Sequence, residues 1–565
     1  MTSGSRPDAP SFGELFTPKL VTVLREGYGA KELRADAFAG ATVAIVALPL
    51  SMAIAIASGV GPERGLYAAI IGGFVVSLLG GSRFQIGGPA GAFIVLVAAT
   101  ATRHGLDGVI LATFLGGLML AAAGYLRLGG YVQLIPFPVT VGFTAGIAII
   151  IFSSQIKDLL GLTIAEIGHG PIVDSLKADA AAIGTTNPYA LGVSVATIAM
   201  IVGLRKWRPS FPGILVSIVV ASAAAAIFKL PVETIGDKFG VIASGLPAPA
   251  LPNLSPAKIA AVFPDAFAFF LLGAIESLLS ATVADGMTGR RHRANCELAA
   301  QGAANIATAL FGGMVVTGTI ARTAANIRAG AHGPVAGMLH STFLLVFMMV
   351  AAPLASYAPL AALAGVLAIV AWNMVERDSF RTLLFASRGD AAALLATFFL
   401  TIFRSLTEAI AAGVAIGAVA FIHRMASAAQ VTMEAPLIRR DEADGTPRSR
   451  EAYDPGVSAG AGRDYAIYRI SGAVFFGSAA SLGLALDRIL SGEKIFILDF
   501  SQAAFVDSSG AQAIRGFVDK ALRQNVEVVI AATTPAHRAE LERAGVAEPR
   551  VRLAASIADF RQSPA

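Results

Sequence analysis

The sequence predicts a polytopic α-helical membrane protein with a soluble α/β domain at its C-terminal end. Three observations predict it. Of 565 residues, 55% are hydrophobic and only 14% charged, where soluble domains carry roughly 25% charged residues. The charge deficit lies in residues 37–425 and is interrupted by short polar connections, the pattern of repeated membrane spans. From residue 426 the composition turns charged and globular.

Residues 1–36 are polar and lack the apolar core of a cleavable signal peptide, so they are expected to form a retained cytoplasmic leader. Apolar stretches then run at 37–58, 65–80, 108–124, 133–153, 188–204, 212–228, 264–284, 297–312, 334–355, 359–374, 391–406 and 408–424. Two short ones, 88–100 and 319–329, bring the total to about fourteen elements, several of them below the ~20 residues of a full span. Basic connections at Arg205-Lys206-Trp207-Arg208 and Arg290-Arg291-His292-Arg293, and the segment with Arg377, Arg381 and Arg388, fall on the cytoplasmic side if the leader is inside. The longer connections 161–187 and 229–263 then lie outside. Both termini are expected in the cytoplasm.

The two short elements carry the function. Residues 81–93 (GSRFQIGGPAGAF) and 312–330 share a layout of glycine-rich lead-in, helix breaker and brief apolar run. A helix of ~10–13 residues spans ~15–20 Å, about half the ~30 Å hydrocarbon core. Two such half-helices meeting near the midplane would turn unpaired first-turn N–H groups toward each other, a ready anion site. Discontinuous helices at matching positions of two halves are the sequence pointer to a transporter's binding site.

Arg322, in TGTIARTAANIRAG (317–330), is expensive at this depth and is expected to face a cavity or a partner. It serves either as positive potential at the anion site or as half of a structural ion pair. Its candidate partner is Glu276 in LLGAIESLLSATVADG (271–286), with Ser280 one turn further on the same face. Glu276 is equally a candidate carrier of a coupling proton, or, with Ser280 and Thr319, a ligand of a sodium ion. Asp285 is expected to be a solvated interfacial charge, and His292 and His332 solvated loop residues.

Other function classes find little support. No basic tract with interleaved aromatics suggests nucleic acid. A single cysteine, Cys296, excludes an internal disulfide and is expected to be a small packing residue. No phosphate loop, zinc-type histidine pair or nucleophile elbow suggests an enzyme, and no metal or cofactor is called for beyond a coupling proton or sodium ion. A channel-like sensor signalling through the tail is the competing class; a buried titratable group favours transport.

The segments DAFAGATVAIVALPLSMAIAIASGVGPERGLYAAIIGG (36–73), GGPAGAF (87–93), AIESLLSATVADGMTG (274–289) and TGTIARTAANIRAG resemble the sulfate permease (SulP) family, the bacterial branch of solute carrier family 26. The resemblance implies two inverted seven-element repeats, a core (elements 1–4 and 8–11) moving against a gate (5–7 and 12–14) by an elevator-type motion, and a homodimer. It implies substrate contacts from Ser51, Ala92, Phe93, Thr319, Ile320, Ala321 and Arg322, and a coupling-ion site at Glu276, Ser280, Gly318 and Thr319. Many sulfate-carrying members have glutamine after the proline of the first element, whereas Pro49 here is followed by Leu50. The phrases ALPLSMAIAIASGVGPERGLY, FSSQIKDLLGL (152–162), TIARTAANIRAG and AWNM (371–374) resemble the branch associated with proton-driven uptake of four-carbon dicarboxylates such as succinate. Sulfate and bicarbonate are the alternative substrates. Uracil and xanthine permeases share the architecture but typically have a carboxylate at the Arg322 position and lack the tail.

Residues 426–463 are rich in charge, glycine and proline and are expected to be a flexible linker. Beyond it, 465–475, 494–500 and 526–532 have strand patterning, and 478–490 and 510–524 helical spacing, with Ile514, Phe517, Val518 and Leu522 on one face. Strand–helix alternation over 464–560 makes a small α/β domain. FVDSSGAQAI (505–514) resembles the signature of a STAS domain, named for sulfate transporters and anti-sigma-factor antagonists. Asp507 or Ser508 is placed to cap the following helix, with Gly510 easing the turn. The resemblance also makes Ser508 or Ser509 a candidate phosphorylation switch toward a cytoplasmic partner.

Overall fold

The computed structural model describes residues 11–132, 135–164, 172–208, 211–240, 242–433, 465–487 and 495–557. The chain divides into two compact units, residues 1–415 and 416–565.

The first unit is helical. Its principal helices are α1 (Ala30–Ala57), α2 (Pro62–Leu79), α3 (Gly91–Tyr125), α4 (Phe137–Ser154), α5 (Pro188–Trp207), α6 (Gly213–Ile227), α7 (Pro256–Thr288), α8 (Ala294–Leu310), α9 (Ile320–Arg328), α10 (Val335–Ala355), α11 (Leu360–Met374), α12 (Arg388–Phe403) and α13 (Leu406–Ala428), the last running on past the unit boundary. Nine helical stretches among the described residues are long and apolar enough to cross a membrane. This is a multi-pass helical membrane protein. Every expected apolar stretch is helical in its described part, but the boundaries moved. The expected elements 88–100 and 108–124 form one helix broken at Gly105, whose φ of 68° lies in the left-handed region that glycine adopts without strain. The first part of α3, residues 91–104, therefore reaches ~20 Å, and α9, with 9 residues, ~13 Å. Neither part is a full crossing.

Packing gathers the helices into two groups, with α1 touching both through α9, α10 and α11. Helix α3 lies against α7 and α8, and α1 against α9 and α10. Helix α4 lies against α11 and α12, with α5 also on α11. Small residues set the spacing. A Cβ on Gly302 would lie 2.6 Å from the Gly117 carbonyl, and one on Gly40 would lie 2.6 Å from that of Ala336. Helix α2 contains a π-turn at Ala68–Gly72, a distortion that recurs at functional sites.

Helix α1 starts ahead of the expected boundary at residue 37, and the described part of the polar leader before it, from residue 11, is docked on the helical unit. Val23 is fully buried, Arg293 donates to the Thr17 carbonyl and the Thr22 hydroxyl, and Glu26 pairs with Arg83 at 2.6 Å. Cys296 is buried, its thiol toward the carbonyls of Phe16 and Leu79.

The second unit holds a five-stranded sheet: β3 (Gln430–Met433), β4 (Tyr465–Val474), β5 (Ile495–Val506), β6 (Glu527–Ala531) and β7 (Arg552–Ala554), paired in that order, while β1 (Gly87–Gly88) and β2 (Thr317–Gly318) belong to the membrane unit. The β3–β4 pair is antiparallel and the others parallel. Helices α14 (Phe476–Asp487), α15 (Ser508–Arg523) and α16 (Pro535–Arg543) complete it. Ile514, Phe517 and Val518 are buried as expected, but Leu522 is 38% exposed. The expected stripe slipped by one position, and Ala521 takes the buried place. The expected linker begins within α13 and β3; residues 434–464 lie outside the described residues.

Candidate functional site

The two half-helices are joined at their starts by backbone. Strand β1 (Gly87–Gly88) pairs antiparallel with β2 (Thr317–Gly318), Gly87 opposite Gly318 and Gly88 opposite Thr317. Each strand runs directly into its half-helix. The lead-in of the first is tied to the second: the Ile86 N–H donates to Thr323 Oγ1 at 3.1 Å, and Asn326 Nδ2 donates to the Phe84 carbonyl at 2.9 Å. In return the Thr319 N–H and hydroxyl donate to the Ile86 carbonyl. No side chain caps either half-helix. The first-turn N–H groups of both therefore keep their partial positive charge within one small region.

Glycine leaves room here for two long side chains. A Cβ on Gly88 would strike the Arg322 guanidinium, and one on Gly318 would strike the Gln85 side-chain amide. Arg322 is 3% exposed. Its Nη2 donates to Ser51 Oγ at 3.1 Å and to the Pro89 carbonyl at 3.2 Å, while Nε and Nη1 meet no partner among the described residues. One edge of the guanidinium is thus held and the other is unpaired among the described residues.

The expected Arg322–Glu276 ion pair does not form. Successive helix residues point ~100° apart, and on α9 it is Thr323 that faces α7, accepting from Ser280 Oγ at 3.2 Å. Arg322 is turned instead toward Ser51 on α1. Glu276 sits on the α7 face between Gly273, whose carbonyl accepts from Thr317 Oγ1, and Ser280. Its Oε2 is buried with no partner among the described residues. By helical spacing Glu276 lies on the side of α7 that carries Gly273 and Ser280, which meet β2 and α9.

The structure brings together Ser51, Ala92, Phe93, Gly318, Thr319 and Arg322, all buried or nearly so, about the strand pair. Phe93 is fully buried with its ring edge-on to Phe269 at 5.9 Å. Ile320 and Ala321, the first residues of α9, are exposed and leave that helix start open. Among the described residues no group of three His, Cys, Asp or Glu is placed to hold a metal.

Several residues at the site went unseen in the sequence. Asn305 mimics a strand, its side chain donating to and accepting from the Val316 backbone at 2.8 and 2.9 Å, and so fixes the lead-in to β2. Its signal was present: Glu297, Gln301 and Asn305 recur every four residues on α8, and all three are fully buried. Gln85 is 3% exposed with neither amide atom partnered, and His340 on α10 is fully buried with neither ring nitrogen partnered among the described residues. His292 is not a solvated loop residue. Its side chain is 7% exposed and Nδ1 lies 2.7 Å from Asp285 Oδ2, so Asp285 is a partnered charge rather than a free one.

In the second unit Asp507 caps α15. Its Oδ1 accepts from the Gly510 N–H at 2.7 Å and its Oδ2 from the Phe476 N–H at 3.1 Å, tying the cap to the start of α14. Gly510 is needed for close packing rather than for the turn, since a Cβ there would lie 2.6 Å from the Val474 carbonyl. Ser508 is exposed and Ser509 half-buried. Asp499, 1% exposed, pairs with Arg469 at 2.7 Å. Burial raises its pKa, but the bonds from Arg469 and Ser501 outweigh that and hold it below the usual carboxylate range.

Comparison with known proteins places the chain. The profile of the sulfate permease family matches residues 33–397, and that of the STAS domain residues 459–559. The chain belongs to the sulfate permease family. It is an anion transporter by family, not an enzyme, and it carries a C-terminal STAS domain. It is 39% identical to a Bacillus subtilis protein named "Putative sulfate transporter YvdB", over 89% of this chain and 92% of that one. It is 28% identical to the bicarbonate transporter BicA of Picosynechococcus, over 91% of each. The solved structure titled "The overall structure of SLC26A9" matches with a TM-score of 0.82 at 19% identity, covering 97% of this chain and 92% of that one, which establishes the shared fold. The resemblance read from 36–73, 87–93, 274–289 and 317–330 is to the right family.

Proposed function

We propose that this permease takes up a small inorganic oxyanion, sulfate or bicarbonate, coupled to a proton or a sodium ion, by an elevator-type motion. The observation that carries it is the β1–β2 pair, which sets two uncapped helix starts and the free edge of Arg322 around one point. Ser51, Ala92, Phe93, Thr319, Ile320, Ala321 and Arg322 are assigned to the anion. Glu276, Ser280, Gly318 and Thr319 are assigned to the coupling ion. The packing of α3 on α7 and α8, and of α4 on α11 and α12, supports a core moving against a gate. A homodimer in a bacterial inner membrane with both termini cytoplasmic completes the assignment. Ser508 and Ser509 are its candidate points of regulation by a partner.

Relatives named for sulfate and for bicarbonate favour an inorganic oxyanion over a dicarboxylate. Succinate remains the second reading, supported by the phrases at 152–162 and 371–374. Radiolabelled uptake into proteoliposomes separates them, with sulfate, bicarbonate, succinate and fumarate each tested at two pH values with and without sodium. Saturable uptake of sulfate or bicarbonate that rises with proton or sodium supply is expected. Uptake of succinate alone would overturn the oxyanion assignment. Ion flux with no coupling would favour a channel-like sensor.

A further inference from the structure

A cavity of about 670 Å³ lies beyond the first half-helix, on the side of the membrane reached by the far end of α1. Part of its wall is apolar, including Ile56 and Ala57 of α1 and Ile94 and Val95 of α3. Ile94, on the cavity wall, directly follows Phe93 of the candidate anion site in the chain. Among the described residues the rest of the wall carries five charges: Lys157, Asp158, Asp179, Lys238 and Arg404. Three are positive and two negative. None forms an ion pair or a side-chain hydrogen bond among the described residues; Lys238 rests over the ring of Phe239 at 5.8 Å.

Charges normally pair or point into bulk water. Here Lys157, Asp158 and Asp179 are half-buried, and Lys238 and Arg404 are exposed, along one recess with partly apolar walls, where field lines are focused and counter-ions concentrate. Among the described residues the net sign of the lining is positive, and the lining includes Ile94, the chain neighbour of Phe93 in the candidate anion site. We propose that this cavity is a capture vestibule, in which Lys157, Lys238 and Arg404 gather small anions and Asp158 and Asp179 limit how tightly they are held.

The arrangement answers a difficulty of a site built from backbone. Helix starts and one buried arginine hold a desolvated anion but project little field through the surrounding apolar residues. A charged antechamber raises the local anion concentration before desolvation begins. Its two carboxylates keep the vestibule from becoming a trap. The inference rests on the anion-transport reading, because it takes the cavity to be part of the transport route.

The test reads the potential directly, without transport. The native Cys296 is buried, so an introduced thiol reports alone. In full-length protein, Ser154→Cys reports from the cavity wall and Ala248→Cys from an exposed connection. Each is reacted with an anionic and a cationic methanethiosulfonate reagent, and the ratio of the two rates cancels differences in thiol reactivity. At low salt the anionic-to-cationic ratio at Ser154→Cys is expected to exceed that at Ala248→Cys by about tenfold. It should collapse toward the reference in about 0.5 M salt, fall with Lys157→Gln or Arg404→Gln, and rise with Asp158→Asn. Equal ratios at the two positions, or a ratio unmoved by Lys157→Gln and Arg404→Gln together, overturn the proposal. In uptake assays with sulfate and bicarbonate the same lysine and arginine variants are expected to raise KM about threefold or more at unchanged maximal rate. An unchanged KM alongside an unchanged ratio would remove the vestibule. A tenfold labelling ratio in a protein that carries neither anion would leave the vestibule standing and instead overturn the substrate assignment.

Discussion

Arg322→Ala separates the binding role of this residue from a structural one, because the structure gives the two roles different magnitudes. On the stability side little is lost. Ser51 keeps its hydrogen bond to the Ala47 carbonyl at 2.7 Å, so the Pro89 carbonyl alone loses a charged donor, a cost of about 1–2 kcal/mol. The same change removes a buried cation that has no carboxylate partner among the described residues, which offsets part of that cost. The net change in folding should stay within about 1 kcal/mol. On the binding side, a unit charge ~5 Å from a monovalent anion is worth on the order of 3 kcal/mol at an effective dielectric of ~20, roughly a hundredfold in affinity. Arg322→Lys restores charge without the planar fork and should lose roughly tenfold. Equilibrium binding of sulfate and bicarbonate to detergent-purified protein, beside a thermal unfolding curve, measures both. An alanine variant that binds within threefold of the parent would refute the assignment. So would one that never yields a folded fraction, since Arg322 would then be holding the helices.

Other outcomes follow from the same geometry. Glu276→Gln should remove acid-stimulated uptake if the carboxyl carries the proton, or sodium-stimulated uptake if it ligates the cation; an unchanged response to both would end its coupling role. Gly88→Ala drives a methyl into the Arg322 guanidinium and should cost about 1–3 kcal/mol in thermal stability, a loss that Arg322→Ala in the same chain relieves. Additive losses in the double variant would mean that the contact is not the cause. Asp507→Ala removes the acceptor for two N–H groups and should destabilise the STAS domain by about 1–2 kcal/mol, read by hydrogen exchange over α14 and α15 in the full chain. Asp499, held below the ordinary carboxylate range, should stabilise the STAS domain at neutral pH. That contribution should be lost as pH falls through its depressed folded pKa, so acid melts of Asp499→Asn should be flatter than those of the parent.

The sequence by itself determined the membrane character, the two half-helices, the tail and the residues worth watching. These are local properties: apolar run length, glycine and proline at breaks, and the cost of an arginine in a short apolar element. Even the STAS cap at Asp507 was legible, because a capping side chain reaches only three residues ahead. What went wrong or unseen was short or distant. Strands β3 and β7 are too brief to show alternation, and Gly105 joined what polarity seemed to separate. Only the tertiary structure decided that Gly88 opposes Thr317, that Arg322 answers to Ser51 rather than Glu276, and that residues 12–26 lie against the lead-in to the first half-helix. Periodicity says which residues share a helix face. It does not say which of several neighbouring helices that face meets, and at this site the choice between α1 and α7 turns on a single ~100° step between Arg322 and Thr323.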